Sequence, residues 1–183
     1  MQYPAASCPS LRRALVAGCL GPLAVLLSAA ANPVLNEIFY HEDHGAGPEN
    51  PLTEWIEIYN PTPTSINLEG WSFERGVTFN FPAGARIAAK GFVVVVADPA
   101  TFRAAHPAVD DGSNIFGPWL GRLRNGGETV ELRDAAGSRI DRVRYADEGD
   151  WAVRARGPLD RGHEGWTWSA PHDGRGFSVE LID

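Results

Sequence analysis

The chain has 183 residues, of which 44% are hydrophobic and 21% are charged, and its formal net charge is −7. This composition is typical of a folded globular protein and excludes a chain that is disordered throughout. The negative charge counts against non-specific nucleic-acid binding, because that binding depends on cationic side chains that neutralise phosphates. Nucleic acid is therefore not an expected partner.

Residues 1–31 have the order of features that is typical of a secretory signal peptide. Arg12 and Arg13 provide a positive start, Ala14–Leu27 is an apolar run, and small residues end the segment. We predict cleavage after residue 31 or one residue earlier, which makes the protein secreted or held at the cell surface. The apolar run is short for a membrane span, which needs ~20 residues. Modification of Cys19, which would make the protein a lipoprotein, remains an alternative.

The two cysteines of the chain, Cys8 and Cys19, both lie in this leader. Residues 32–183 therefore contain no cysteine and cannot form a disulfide scaffold, a zinc–thiolate site or a cysteine enzyme. Their net charge is −9, because the leader holds two of the arginines and none of the acidic residues. A chain of about 150 residues can bury a core without cross-links, so we predict one domain over residues 32–183 with no membrane span.

Short apolar segments separated by turn residues predict a protein made of β-strands. Trp55–Asn60 places Ile, Ile and Asn on one face and Trp, Glu and Tyr on the other, which is the period-2 pattern of a strand. Phe92–Ala97 is apolar on both faces and is predicted to be a buried central strand. The same signals predict further strands at Val34–Tyr40, Ser65–Leu68, Trp71–Glu74, Val77–Phe81, Thr129–Arg133, Ile140–Tyr145 and Phe177–Ile182.

One helix and two irregular features complete the predicted fold. Asp98 is expected to cap a short helix that has Pro99 at its first position and extends to Ala105. Asn125-Gly126-Gly127 predicts a hairpin turn. Asp147–Arg175 is polar and contains Trp without a regular period, so we predict an elaborated loop there. Many short strands with a single helix favour an antiparallel sandwich or barrel.

Seven segments of the chain match, in the expected order, the motifs of one known family: Leu35–Ile38, Glu54–Pro61, Ile66–Phe73, Phe79–Pro82, Ala88–Val95, Gly126–Leu132 and Gly174–Leu181. Together they resemble the lamin tail domain family. The resemblance implies an all-β, immunoglobulin-like antiparallel β-sandwich with one short helix. It also implies an accessory and interaction domain rather than an enzyme, of a kind that bacteria mostly export.

Two departures from the family pattern bear on the domain boundary. The stretch Ala152–His172, before the closing strand, is longer than the family pattern implies, and the chain stops one residue after that strand. We therefore expect residues 32–183 to form a lamin-tail-like domain, and truncation of this domain at its C-terminus stays an open alternative.

The loop His41-Glu42-Asp43-His44 is the densest cluster of metal-ligating residue types. Glu37, Glu54 and Glu57 are nearby in the sequence, and oxygen-rich loops suit Ca²⁺. The spacing matches no metal motif, however, so a solvated loop is favoured. We predict no metal ligand and no cofactor, with Ca²⁺ as the one alternative.

No catalytic residue is predicted. Glu37 and Glu57 are a carboxylate pair of the kind that a glycosidase uses, but the resemblance favours carboxylates that accept backbone hydrogen bonds or cap turns. His106, His163 and His172 are interpreted as solvated loop histidines, because no G-x-S-x-G motif supplies a nucleophile. No phosphate-binding glycine loop is present in the sequence either, so no cofactor-binding residue is predicted.

Tryptophan and arginine supply two further candidate surfaces in the second half of the chain. The tryptophans are interpreted as core or loop anchors, with a ligand-binding surface as the alternative. The arginines are a candidate anion-binding stripe, although the acidic residues between them favour a self-paired surface. The residues concerned are Trp119, Trp151, Trp166, Trp168, Arg122, Arg124, Arg142, Arg144, Arg154 and Arg156.

The functional prediction is an exported, non-catalytic structural or interaction module. Its partner is expected to be a protein or a polysaccharide at the cell surface, or a neighbouring domain that it supports. Two alternatives remain from other classes: a carbohydrate-binding module that uses the Trp-rich loops, and an accessory domain of a metal-dependent extracellular hydrolase.

Overall fold

Thirteen strands and one α-helix form the part of the chain that the computed structural model describes, residues 32–109 and 114–181. The predicted signal peptide lies outside this part. The strands are β1 (Val34–Phe39), β2 (Trp55–Tyr59), β3 (Ile66–Asn67), β4 (Ser72–Arg75), β5 (Phe79–Asn80), β6 (Arg86–Ile87), β7 (Phe92–Val96), β8 (Ile115–Phe116), β9 (Thr129–Arg133), β10 (Arg139–Arg144), β11 (Val153–Asp160), β12 (His163–Ser169) and β13 (Val179–Glu180); the helix is α1 (Pro99–Ala105).

Two sheets form the sandwich. The first has five strands in the order β13-β1-β2-β7-β8, and the second has four in the order β10-β9-β4-β5. The neighbouring strands are antiparallel except for β7 and β8, which are parallel. The pairs β3–β6 and β11–β12 form two smaller sheets. This arrangement is the predicted antiparallel β-sandwich with one short helix.

The core lies between the inner faces of the two main sheets. Ile56 and Ile58 of β2 are fully buried, as the alternation of this segment predicted, and they belong to one cluster with Phe73 and Leu132 of the opposite sheet. Burial of an aliphatic or aromatic side chain of this size contributes roughly 1.5–3 kcal/mol. Trp71, which follows the turn at Gly70, packs against this cluster but is only partly buried.

Asn60, the residue after β2, is polar and fully buried. Its Nδ2 donates to the carbonyl oxygens of Thr64 and Ala88, both at 2.8 Å. Its Oδ1 accepts from the backbone N–H and the hydroxyl of Thr62, at 3.0 and 2.7 Å. These bonds satisfy the buried amide and fix the turn that follows the strand.

β7 is buried on both of its faces, as predicted. Val93 and Val95 belong to the core between the sheets, whereas Val94 and Val96 form a second cluster with Phe102 of α1. The helix begins as the sequence predicted, because Asp98 accepts a hydrogen bond from the N–H of Thr101 at 2.7 Å and Pro99 occupies the first turn. α1 therefore covers part of the outer face of the five-stranded sheet.

The segment Asp147–Arg175 contains a β-hairpin, and the prediction of an elaborated loop was wrong. β11 and β12 pair along their length, and Arg161 and Gly162 form a two-residue turn with positive φ angles of 48° and 84°. Every residue of the two strands except Gly157 and Ser169 is exposed. No face is buried, so the short apolar–polar alternations in Val153–Arg156 and Trp166–Ser169 do not mark a side that faces the core.

The hairpin predicted at Asn125-Gly126-Gly127 is also absent. A turn is present, in which the N–H of Gly127 donates to the carbonyl of Arg124 at 3.1 Å. The residues before it form no strand that pairs with β9; instead, β9 pairs with β4 and β10. The turn therefore connects a loop to β9 and does not connect two paired strands.

Candidate functional site

An open cleft of about 400 Å³ lies against the outer face of the five-stranded sheet. Strands β1 and β2 contribute its floor, α1 contributes one side, and the segment before β13 contributes another. The alternation that buries Ile56 and Ile58 turns Trp55 to this outer face. The lining residues are Glu37, Phe39, Glu42, Thr53, Trp55, Thr101, Phe102, Ala105, His106, Gly176, Phe177, Ser178 and Glu180.

One wall of the cleft is aromatic. The ring of Trp55 stacks on Phe39, with their centroids 5.7 Å apart and an interplanar angle of 10°. Phe102 and His106 of the α1 segment meet Trp55 edge-on at 6.2 and 6.3 Å. The wall therefore presents apolar ring surface, and the electron-rich faces of such rings attract cations.

The neighbouring part of the cleft is acidic. Glu57 of β2, Glu37 of β1 and Glu180 of β13 lie side by side in the registers of three adjacent strands. A β-bulge between Leu35 and Glu37 interrupts the alternation of β1 at this point. Of these three glutamates, Glu37 and Glu180 line the cleft, and neither lysine nor arginine is among the lining residues.

Burial and repulsion between carboxylates make Glu37 and Glu57 costly to ionise. Desolvation raises the pKa of Glu37 and of Glu57, and neighbouring carboxylates raise both further. Hydrogen bonds oppose the shift: the Ser178 hydroxyl donates to Glu37, and the Asn36 amide donates to Glu57 at 2.7 Å. A bound cation would stabilise the ionised carboxylates in the same way.

Three side chains of the His41–His44 loop make hydrogen bonds to groups of the protein outside this loop. His41 Nδ1 is 2.6 Å from the carboxylate of Asp173, and the carboxylate of Glu42 accepts the N–H of Asn50 at 2.7 Å. Asp43 accepts the N–H of Gly45 at 3.1 Å. Within residues 32–109 and 114–181, no group of three His, Cys, Asp or Glu side chains is placed to hold a metal ion.

Glu54, named with this loop as a candidate ligand, lies apart from it in the core. It is 2% exposed, and its Oε2 accepts the N–H of Leu123 at 2.8 Å. Burial raises the pKa of Glu54 to about 8. Its Oε1 has no hydrogen-bond partner among the described residues. Glu54 thus anchors the loop before β9 and does not reach the cleft.

The three loop histidines have different environments. His163 is exposed on β12, and His106 is exposed at the rim of the cleft, where it packs against Phe102. His172 is buried, so its interpretation as a solvated residue was wrong. Its two ring nitrogens contact the hydroxyl of Tyr40 at 2.7 Å and the carbonyl of Trp151 at 2.8 Å. A buried histidine with two partners is a structural residue.

The tryptophans also separate into two groups. Trp119 is 5% exposed and belongs to the core, as the anchor interpretation predicted, whereas Trp151 is exposed beside the hairpin. Trp166 and Trp168 of β12 are 47% and 50% exposed.

The six arginines lie on three different segments. Arg122 and Arg124 precede β9, Arg142 and Arg144 lie on β10, and Arg154 and Arg156 lie on β11. Only the last pair is brought against exposed tryptophans: both guanidinium groups contact the ring of Trp166.

Two packed sheets that are antiparallel except for the pair β7–β8, together with one short helix, define an immunoglobulin-like β-sandwich domain. The family model of the Lamin Tail Domain matches residues 27–147. The chain belongs to the lamin tail domain family, which confirms the resemblance found in its motifs and the fold that the resemblance implied. No curated protein sequence matches the chain.

The matched region includes β1 to β10 with α1, and it ends before the hairpin and β13. The resemblance of Gly174–Leu181 to the closing family motif lies outside this match. In the described ranges, no helix has the length and apolar character that a membrane span requires.

The sequence predictions missed two contributors to the cleft. Glu180 and Ser178 reach Glu37 because β13 pairs with β1, and a pairing between such distant segments leaves no local signal in the sequence. The alternation of β2 predicts that Trp55 points to the outer face of the sheet, but it does not show which segments cover that face.

Proposed function

We propose that this lamin tail domain is an exported, non-catalytic interaction module whose cleft binds a basic segment of a protein partner at the cell surface. The row of carboxylates beside an aromatic wall supports the proposal most directly. Family membership supports the interaction role, and the signal-peptide pattern of residues 1–31 supports export.

The chemistry of the cleft favours a cationic ligand. Glu37, Glu42 and Glu180 supply negative charge to a cavity that no lysine or arginine lines. A lysine or arginine side chain of the partner would form charge-assisted hydrogen bonds with these carboxylates and would lie against Trp55. The surrounding apolar surface of Phe39 and Phe177 would pack against the stem of that side chain.

The hydrogen bonds that the candidate carboxylates and the His41–His44 loop make within the fold weigh against catalysis. Glu37 accepts a hydrogen bond from Ser178, next to β13, and Glu57 of β2 accepts one from Asn36 of β1, so both carboxylates link neighbouring strands. The side chains of His41 and Glu42 likewise make hydrogen bonds within the described part of the chain, which favours a structural role for this loop over the hydrolase alternative.

Titration of the purified chain with octalysine at low ionic strength tests the binding proposal. We expect a 1:1 complex, measured by isothermal titration calorimetry, that is weakened by salt because the contacts are ionic. The variants Glu37→Gln and Glu180→Gln should each weaken binding by about tenfold. Glu148→Gln removes the same charge from an exposed site outside the cleft and should change binding by less than about twofold. Equal affinity in all four proteins, or no complex at all, refutes the proposal.

Export is tested separately by expressing the full gene product and sequencing the N-terminus of the extracellular protein. A mature chain that starts at Asn32, or one residue earlier, supports the signal peptide. Retention of residues 1–31 in a cell-associated protein contradicts it.

A further inference from the structure

The hairpin of β11 and β12 carries a ladder of alternating arginine and tryptophan side chains on one face. Arg154 lies opposite Trp168, and Arg156 lies opposite Trp166. The guanidinium of Arg154 is 4.3 Å from the ring centre of Trp166 and 5.6 Å from that of Trp168. Arg156 is 4.5 Å from Trp166. We call these four residues the Arg–Trp face.

The positive charge of this face is only partly neutralised within the hairpin. The closest ion pair joins Arg156 Nε and the Glu164 carboxylate at 4.0 Å, and both side chains are largely exposed. No carboxylate pairs with Arg154 in the ranges that the structure describes. Stacking uses the flat faces of the guanidinium groups, and the N–H groups along their edges can still bind an anion.

The face is also rigid and accessible. Two residues two positions apart on one strand are about 6.6 Å apart and point to the same side. Contact with the indole rings limits the rotamers of Arg154 and Arg156, so less conformational entropy is lost when they bind a ligand. The strands are exposed on both faces, and the hairpin follows the region that the family match covers.

We propose that the Arg–Trp face binds an acidic polysaccharide. The two guanidinium groups bind carboxylate or sulfate groups on the sugars, and a sugar ring packs its apolar C–H face on Trp168, at the end of the ladder. This ligand differs from that of the cleft, which is cationic, and the inference does not depend on the proposal for the cleft.

The geometry favours a charged polysaccharide over a neutral one. Two guanidinium groups lie within 4.5 Å of the centre of the Trp166 ring, so a neutral sugar would have to displace them to stack there. This contact weighs against a carbohydrate-binding module that uses Trp166 as its platform.

The number of charges on the Arg–Trp face also favours an acidic polysaccharide over nucleic acid as its ligand. Duplex DNA carries one negative charge per ~1.7 Å of its axis and is bound by proteins that neutralise several phosphates at once. The Arg–Trp face offers two arginines on a chain of net charge −7, which suits a polymer with fewer, more widely spaced anions. An acidic peptide lacks the ring face that Trp168 would cover.

The test compares binding of heparin and polygalacturonate with that of dextran, polyglutamate and a DNA duplex, at one ionic strength. The variant Arg154→Gln/Arg156→Gln should weaken binding to at least one of the two acidic polysaccharides by at least about tenfold. Its matched control is Arg142→Gln/Arg144→Gln, which removes the same charge from exposed arginines of β10 and should weaken it by less than about twofold. Melting temperatures of all variants confirm that they fold.

Each other outcome overturns the inference. Equal losses in the two double variants would mean that net charge alone attracts the polymer. Tighter binding of dextran, polyglutamate or DNA would assign the face to another class of ligand, and no binding of either acidic polysaccharide would remove the site. Glu37→Gln, which tests the cleft, should leave polysaccharide binding unchanged, so that the failure of one proposal is distinguishable from the failure of the other.

Discussion

Tyr40 and His172, 132 residues apart in the chain, are joined by a buried 2.7 Å hydrogen bond. The Nε2 of His172 faces the carbonyl of Trp151, which can only accept, so Nε2 carries the proton of the neutral ring. Nδ1 is then the acceptor for the Tyr40 hydroxyl. The residues that follow Tyr40 and His172 also contact each other, since His41 pairs with Asp173. This double link attaches the segment after the hairpin to the end of β1.

Tyr40→Phe tests the link between the two segments. The change leaves the ring stacked on Tyr145 but leaves Nδ1 of buried His172 without its partner. We expect the free energy of unfolding to fall by about 1–3 kcal/mol. Urea denaturation measures it, with Tyr59→Phe as the control, since Tyr59 lies on the outer face of β2. The link has no energetic role if both variants are equally stable.

Asn60→Ala tests the buried amide that ends β2. The change removes four hydrogen bonds and leaves the N–H of Thr62 without a partner. The carbonyl oxygens of Thr64 and Ala88 each keep one donor, the Thr62 hydroxyl and the Gly91 N–H. We expect a loss of about 2–4 kcal/mol in the free energy of unfolding. Asn67→Ala is the matched control, because Asn67 is exposed and its side chain accepts one bond from the N–H of Glu69. Similar losses in the two variants would contradict the role given to Asn60.

Sequence patterns predicted the elements that have one buried face or a local signal. The alternation of Trp55–Asn60 follows directly from burial of one side of β2, and the apolar run at Phe92–Ala97 follows from burial of both sides of β7. Asp98-Pro99 identified the start of α1 because a helix cap is a contact between residues that are close in sequence.

Other features were not predicted. Some depend on contacts between residues that are distant in the sequence, and one is exposed and so leaves no burial pattern. The hairpin was missed because both of its faces are exposed, and exposed strands need no apolar alternation. The burial of His172 was missed because its hydrogen-bond partner, Tyr40, is 132 residues away in the sequence. The row of glutamates depends on the strand order β13-β1-β2, which no local pattern contains.

The buried carboxyl of Glu54 predicts a pH-dependent stability. Burial raises its pKa to about 8 in the folded chain, from an ordinary value of 4.5. Between these values the folded chain keeps a proton that the unfolded chain releases, so unfolding becomes more favourable as the pH rises. We expect the free energy of unfolding to fall by about 1–4 kcal/mol between about pH 5 and about pH 8, and to level off above that range.

Urea denaturation across this pH range, on the wild type and on Glu54→Gln, isolates the contribution of Glu54. Burial also raises the pKa of Glu37 and Glu57, which act in the same direction in both proteins. The glutamine variant should therefore show a clearly smaller loss of stability with rising pH. Parallel pH profiles would mean that Glu54 is ionised in the folded protein at neutral pH.

Two adjacent glycines should tolerate alanine very differently. Gly127 has a φ angle of +91°, and an added Cβ would lie 2.5 Å from the carbonyl oxygen of Tyr145 and 2.7 Å from the Cα of Ala146. Gly126 has no atom within 4 Å of that position. We expect Gly127→Ala to lower the free energy of unfolding by more than about 2 kcal/mol, and Gly126→Ala to change it by less than about 1 kcal/mol.

Thermal and urea unfolding of the two alanine variants provide the comparison. Equal stability would mean that the loop between Asn125 and β9 shifts without cost to accommodate the new methyl group.

The pairing of β1 with β13 also determines when the domain can complete its folding. Ile38 faces Val179 across this pair, so the first strand and the last strand are neighbours in one sheet. A chain delivered from its N-terminus presents β1 with an open edge until β13 has followed, and open edges favour pairing with other chains. Closure between segments so distant in sequence is also slow. The five-stranded sheet therefore closes only after β13 has been delivered, and until then the free edge of β1 can pair with another chain.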